Sequence, residues 1–345
     1  MLKIFDLFAG VGGFRLGSSI FNKHRINYKF VGWSEVDKYC RISYKSNFNV
    51  INDFFIDDIK KVTNTEYIKS IDYNNEGLKN NILSNIPKFN LLFAGFPCQS
   101  FSNMGNKKRL EDPRGNLFYD IAAVLAAIKP EYIVLENVRK IITLDNGNVL
   151  KKIMSTLNQL GYQVDYIVLN SKDFGIPQNR SRVFFYGFKK ELELSMPLFE
   201  PKKEPLKIST KDILDIKVNQ KYTLSEKILK TIMKHGTGGY YQKSEIDLKI
   251  ARPLTRTMAK MHRANQDNYY SNKFILGEKK IKWVRRLTPT EAFKLQGFKI
   301  NFVENCIKNG ISDTQLYMQA GNTVTVNVVK ALLEWLINNN WFKKL

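Results

Sequence analysis

Short apolar runs alternate, through the first half of the chain, with segments whose apolar side chains recur at helical spacing. KIFDLFAG is apolar and ends in glycine, as a buried strand does. GGFRLGSSIFN follows it with Phe14, Leu16 and Ile20 at helical spacing. YKFVGWSEVD and KYCRISYKSNF repeat the pair. After a polar, Asn-rich interval near 63–88 the pattern resumes with FNLLFAGFPC, NLFYDIAAVLAAIK, EYIVLENV, GNVLKKIMSTLNQLG, YQVDYIVLN and RVFFYGF. Strands separated by helices predict βαβ units: an α/β fold with a Rossmann-like, mostly parallel sheet.

The alternation stops near residue 190, where MPLFEPKKEPLK places Pro197, Pro201 and Pro205 close together. Beyond it come short strands, turns such as HGTGGYYQ, and basic stretches. A smaller, mixed second domain is therefore expected over 191–311. NTVTVNVVKALLEWLINNN then predicts one long amphipathic helix returning to the first domain, which comprises 1–190 and 312–345.

Charge adds a partner to this picture. The 345 residues hold 54 Lys and Arg against 32 Asp and Glu, a net charge of +22. Base composition of a genome raises Lys and Asn content without function, so the distribution matters more than the sum. Residues 251–300 carry 12 basic against 3 acidic side chains, a local net of +9. Such concentration predicts a polyanion-binding face. No apolar run is long enough to cross a bilayer, and the N-terminus has no signal-peptide pattern. Three cysteines, odd in number and widely separated, fit a reducing cytoplasm. With no CxxC and three scattered histidines, no metal site is expected.

The turn after the first strand, FAGVGGF, allows close approach of a ligand to backbone. Gly10 and Gly12 fit the first two glycines of GxGxxG, but Arg15 stands at the last. A diphosphate cradle is thus poorly formed, and a nucleoside cofactor such as S-adenosylmethionine fits better. Glu35, at the end of the second strand, suits a ribose diol, and Asp58 an adenine amino group. An acid at a strand end is otherwise a helix cap.

GFPCQSFSNMG raises the question of chemistry. A lone cysteine is ordinarily a small buried hydrophobe, which suits Cys40 and Cys306. Cys98 instead follows Pro97 in a polar loop at the end of a strand, where open parallel sheets bind ligands. Glu136 ends the neighbouring strand. No histidine lies near a strand end in this domain, which disfavours a Cys/His hydrolase.

Six stretches in order, DLFAGVGGF, PCQSFS, ENV, QNRSR (178–182), RRLTPTEAFKLQGF (285–298) and QAGNTV (319–324), resemble the motifs of the cytosine carbon-5 DNA methyltransferases. The resemblance runs from residue 5 to residue 328. It implies a methyltransferase-type sheet with a target-recognition domain over the variable region. Cys98 would add to carbon 6 of a flipped cytosine, making carbon 5 nucleophilic. Glu136 would hold ring nitrogen 3, Arg182 together with Arg180 would stabilise the carbonyl oxygen, and Asn137 would brace the loop.

For the cofactor, the resemblance implies Phe8 against the adenine, Gly10, Val11 and Gly12 along the methionine side and Glu35 on the ribose. Asp58 and Ile59 would frame the adenine, with Pro97, Leu117, Asn322 and Val324 completing the pocket. Val36 stands where the family often has a large aromatic. For DNA the candidates are Gln99, Ser100 and Ser102 in the cysteine loop. Arg252, Thr255, Arg256, Lys260, His262, Arg263 and Asn265 are those in the recognition region. The implied protein is a cytoplasmic, metal-free monomer that acts on double-stranded DNA and yields S-adenosylhomocysteine. It would protect sites that a restriction endonuclease also recognises, without stable binding to that enzyme. Three alternatives are weighed: a transfer-RNA cytosine methyltransferase, disfavoured by the large basic insert; an inactive DNA-binding protein, disfavoured by intact Cys98, Glu136 and Arg182; and a nicotinamide oxidoreductase, disfavoured by the broken glycine pattern.

Overall fold

The computed structural model describes residues 1–63, 85–96, 117–234, 245–260 and 262–342. Seven strands form one sheet: β1 (Leu2–Leu7), β2 (Tyr28–Ser34), β3 (Phe54–Ile56), β4 (Leu91–Gly95), β5 (Tyr132–Val138), β6 (Tyr162–Asn170) and β7 (Ser181–Lys189). Their spatial order is β3-β2-β1-β4-β5-β7-β6. The first five pair in parallel, whereas β7 runs antiparallel to both β5 and β6. The sheet is thus mostly parallel, as the alternating pattern predicts.

Both faces are covered, which is why the central strands are apolar at nearly every position rather than at alternate ones. Side chains of period two divide between two cores. Ile4, Phe93, Val134 and Phe184 meet the helix Val326–Asn338 on one face. Phe5, Leu92, Ile133 and Phe185 meet Leu117–Ile128 and Asn148–Gln159 on the other. Each fully buried side chain of this size contributes roughly 1.5–3 kcal/mol. A third core joins Val11 to Leu214, Ala251, Leu254, Phe293, Phe302, Tyr317 and Val326, tying the region beyond residue 190 to the first loop. A two-stranded antiparallel ribbon, β8 (Tyr269–Ser271) with β9 (Val284–Arg286), completes that region.

Two expected helices differ. GGFRLGSSIFN divides into Gly13–Gly17 and Ile20–Lys23. The long C-terminal helix begins at Val326, because Asn322 closes the preceding helix Asp313–Asn322 and Thr323 and Thr325 are extended. Three successive β-branched residues weaken helix here. Tertiary partners then hold the extended form: Thr325 Oγ1 donates to Gln296 Oε1 (2.8 Å), and the Thr323 carbonyl accepts from Arg180 (2.9 Å).

Candidate active site

The carboxyl edge of the sheet gathers the candidate residues. Glu136, in β5, stands beside Gly95, the last residue of β4. On the other side Val138 pairs with Arg182 and Glu136 with Phe184. Residues two apart share a face, so Arg182 lies diagonally across from Glu136. Its Nε meets Glu136 Oε1 at 3.0 Å, both side chains largely buried. Burial pushes the Glu136 carboxyl up, against the pull of Arg182 and Arg180. Such a carboxyl is protonated more readily than one at the surface.

Asn137 faces the other way. Its Nδ2 donates to the Phe96 carbonyl (3.0 Å) and its Oδ1 accepts from Val138 N (2.8 Å). It therefore fixes the backbone at Phe96, just beyond the end of β4. Pro97, Cys98, Gln99, Ser100 and Ser102 lie outside the described residues.

The first loop is tightly specified. Phe8 adopts a left-handed backbone (φ 58), as do Gly10 (φ 56) and Gly12 (φ 87). Non-glycine strain of this kind gathers at ligand sites. Glu35 holds the loop: Oε2 accepts from Gly10 N and Oε1 from Asp37 N, each at 2.8 Å. Burial raises its pKa, and those backbone donors lower it. Gly13 permits close packing, since a Cβ there would come within 2.7 Å of Thr323 Oγ1 and Val324 Cγ2. Val11 and Ile59 are buried, Leu117 is half-buried at the start of its helix, and Val36 and Asn322 are exposed. Asp58 Oδ1 accepts from the backbone N–H of Lys60, the first residue of the short helix Lys60–Thr63 (3.0 Å).

These residues fit a nucleoside without a diphosphate. A Cβ on Gly10 would meet none of the described residues within 4 Å, which leaves room for a ligand against the backbone turn. The nearest cation along the loop, Arg15, is committed to Asp53 (2.5 Å) and the Asn49 carbonyl (3.1 Å). Glu35 remains as an oriented acceptor for hydroxyl groups, beside the apolar surfaces of Phe8 and Val36. S-adenosylmethionine has that make-up: a ribose diol, an adenine and no phosphate.

Three of the candidate arginines are engaged within the protein. Arg180 is buried, and its guanidinium donates to the carbonyls of Leu254 (2.9 Å), Gly321 (3.0 Å) and Thr323 (2.9 Å). Those bonds engage both terminal nitrogens of the guanidinium, while Nε has no partner among the described residues. Arg263 is paired with Asp267 (2.8 Å) and with Thr255 Oγ1 (2.6 Å). Arg252 donates to the Glu245 and Asp267 carbonyls (3.0 and 3.3 Å). Both brace their own segment, joining residues 245–267 to one another. Arg256 and Lys260 are exposed, and Asn265 is half-buried. His262 stacks on Tyr269, and burial with the nearby Arg286 pushes its pKa down. Three residues without an assigned role in the sequence prove to matter. Gln178 accepts from Leu254 N (2.9 Å) and donates to the Leu295 carbonyl (2.6 Å), while Gly13 and Gly321 allow close contacts. All three lie inside the quoted motifs, which was their only signal.

A seven-stranded sheet with β7 reversed, a glycine turn after β1 and an acid after β2 is the architecture of an α/β methyltransferase. It matches the solved Entamoeba histolytica methyltransferase EhMeth at TM-score 0.69 and 23% identity, over 99% of each chain. It also matches a variant of Spodoptera frugiperda DNMT2 at TM-score 0.69 and 19% identity, over 98% of this chain and 100% of that one. The C-5 cytosine-specific DNA methylase family model covers residues 2–338. The type II methyltransferase M1.ScrFI of Lactococcus lactis subsp. cremoris is 34% identical, over 97% of this chain and 78% of that protein. M.NlaX of Neisseria lactamica, also a type II methyltransferase, is 35% identical over 97% and 96% respectively. The chain belongs to the C-5 cytosine-specific DNA methylases, and it is an enzyme of that class.

Proposed function

We propose that this enzyme flips one cytosine of a short duplex sequence into the carboxyl-edge pocket and methylates its carbon 5, protecting the site from a restriction endonuclease. The observation that carries the reading is the buried Glu136–Arg182 pair, at the end of β5 and the start of β7. It lies beside β4, whose end leads into the PCQS loop.

Cytosine carbon 5 is a poor nucleophile. Addition of the Cys98 thiolate to carbon 6 uses the ring's 5,6 double bond and moves an electron pair toward nitrogen 3 and the carbonyl oxygen. Glu136, whose carboxyl burial makes more readily protonated than one at the surface, gives or shares a proton at nitrogen 3. Arg182 stabilises the carbonyl oxygen from inside a water-poor site. Carbon 5 is then enamine-like. Phe8, Glu35, Val36, Ile59, Leu117 and Val324 would hold S-adenosylmethionine, which would supply an electrophilic methyl group to carbon 5. Once carbon 5 carries the methyl group, a base such as water takes the carbon-5 proton; the C–H pair re-forms the 5,6 double bond and the Cys98 thiolate leaves carbon 6. The target must leave the stack, at a cost of a few kcal/mol that protein–DNA contacts offset. Arg256 and Lys260, exposed on the recognition loop, supply such contacts.

The test is expression with an unmethylated plasmid, followed by bisulfite sequencing. Methylcytosine in one fixed context is expected, and modification of RNA alone would overturn the reading. A duplex with 5-fluorocytosine at that position should trap an adduct on the peptide containing Cys98. The Cys98→Ala variant should bind cofactor and form no product.

A further inference from the structure

The recognition region and the cofactor loop are joined by an unbroken line of close contacts. Residues 251–254 pair with 177–180: Asn179 N donates to the Ala251 carbonyl, and Ala251 N to the Pro177 carbonyl, each at 2.8 Å. Gln178 and Arg180 then hold Leu254 by both its N–H and its carbonyl, at 2.9 Å each. Thr255 and Arg256, next in the chain, lie directly on Gly321. A Cβ at that position would stand 2.4–2.5 Å from their backbone atoms. Arg180 also binds the carbonyls of Gly321 and Thr323. Thr323 and Val324 in turn rest on Gly13, again too closely for any side chain.

Each link is a close backbone contact, a buried side-chain hydrogen bond or a packed side chain, so a shift at one is felt at the next. Displacing Thr255–Arg256 breaks a bond to a buried guanidinium or opens a gap at Gly321. Either change reaches Thr323–Val324 and from there Gly13. Packed interiors respond in discrete rearrangements rather than by smooth deformation. The guanidinium fork suits this task, since one rigid plane engages three carbonyls from two segments at once.

We propose that Arg180 is a positioning residue that couples the seating of DNA on residues 254–256 to the shape of the cofactor loop at residues 10–13. DNA on the recognition loop tightens cofactor binding, and bound cofactor tightens DNA binding by the same factor. This rests on the DNA-methylating function above. It assigns Arg180 no contact with the substrate.

Calorimetry should measure S-adenosylhomocysteine affinity with and without a duplex carrying the site found by bisulfite sequencing. At least a five-fold gain is expected for the unaltered protein. Arg180→Lys keeps the charge and loses the fork; Gly321→Ala pushes the loop off its seat. In both the gain should fall toward one-fold, while cofactor affinity without DNA changes less. Because a buried arginine variant can fail to fold, hydrogen exchange on the unaltered chain provides a separate measurement. DNA alone, without cofactor, should slow amide exchange over residues 10–13 and 321–324. Unchanged exchange there, or a full gain in the folded variants, overturns the coupling and leaves the methylation reading intact. Absence of 5-methylcytosine on any DNA overturns both, and is told apart by the sequencing itself.

Discussion

Burial decides how individual side chains behave here. Glu136 and Arg182 lie at the edge of the sheet with little water around them, so the carboxyl is raised and the guanidinium lowered relative to exposed groups. Removing either should act on the reaction more than on ground-state binding. We expect Glu136→Gln to lower kcat by at least about 100-fold with cofactor affinity nearly unchanged, and Arg182→Ala by a similar factor. Steady-state kinetics with a titrated cofactor would check this; an effect confined to KM would contradict it. Asp6 shows the same physics without catalysis. It is fully buried, Oδ1 has no hydrogen-bond partner among the described residues, and desolvation pushes its pKa up to about 7 against the pull of Arg15. The unfolded chain releases that proton near pH 4. Between pH 4 and 7 the folded state holds a proton that the unfolded state has lost. Stability therefore falls as pH rises through this window, by about 4 kcal/mol at most. Thermal melts of Asp6→Asn should show a smaller loss between pH 5 and pH 8 than the unaltered protein. Parallel curves would contradict the assignment.

At the scale of elements, direction matters as much as identity. β7 runs against β5, and only that reversal brings Arg182, at the start of its strand, to the carboxyl edge beside Glu136. The alternation of apolar and polar segments predicted the strand but had no signal for its direction. Strand polarity depends on which edge the connecting chain reaches, and that is a tertiary matter. The break at Thr323–Thr325 has the same origin. The apolar periodicity of residues 326–338 reads as helix, while the carbonyl taken by Arg180 and the hydroxyl taken by Gln296 are long-range partners. Gly13 provides a test at this scale. Gly13→Ala would force a Cβ against Thr323 and Val324, so we expect cofactor affinity to drop at least about ten-fold, roughly 1.4 kcal/mol, with the far-UV circular dichroism spectrum retained. An unchanged dissociation constant would show that the loop tolerates the contact.

For the whole molecule, charge supplies attraction and the fold decides where it acts. The net charge of +22 predicts a polyanionic partner. DNA affinity should fall by about 1,000-fold or more between 50 and 200 mM salt, as filter binding over a salt series would measure. A drop below ten-fold would remove phosphate contacts as the main source of binding. Part of the basic content is spent internally: Arg285 is fully buried on Glu291, and Arg252 and Arg263 brace their own loop. The sequence counts such residues as free cations because their partners stand on other segments or across a turn. By itself the sequence determined the layered α/β class, through hydrophobic period, and the inventory of reactive groups, through ordered motifs such as PCQS, ENV and QNRSR. The tertiary structure alone decided which of two neighbouring arginines meets the glutamate and which clasps the recognition loop. Those roles depend on where carbonyls and carboxylates converge in space, and a linear pattern carries no record of that convergence.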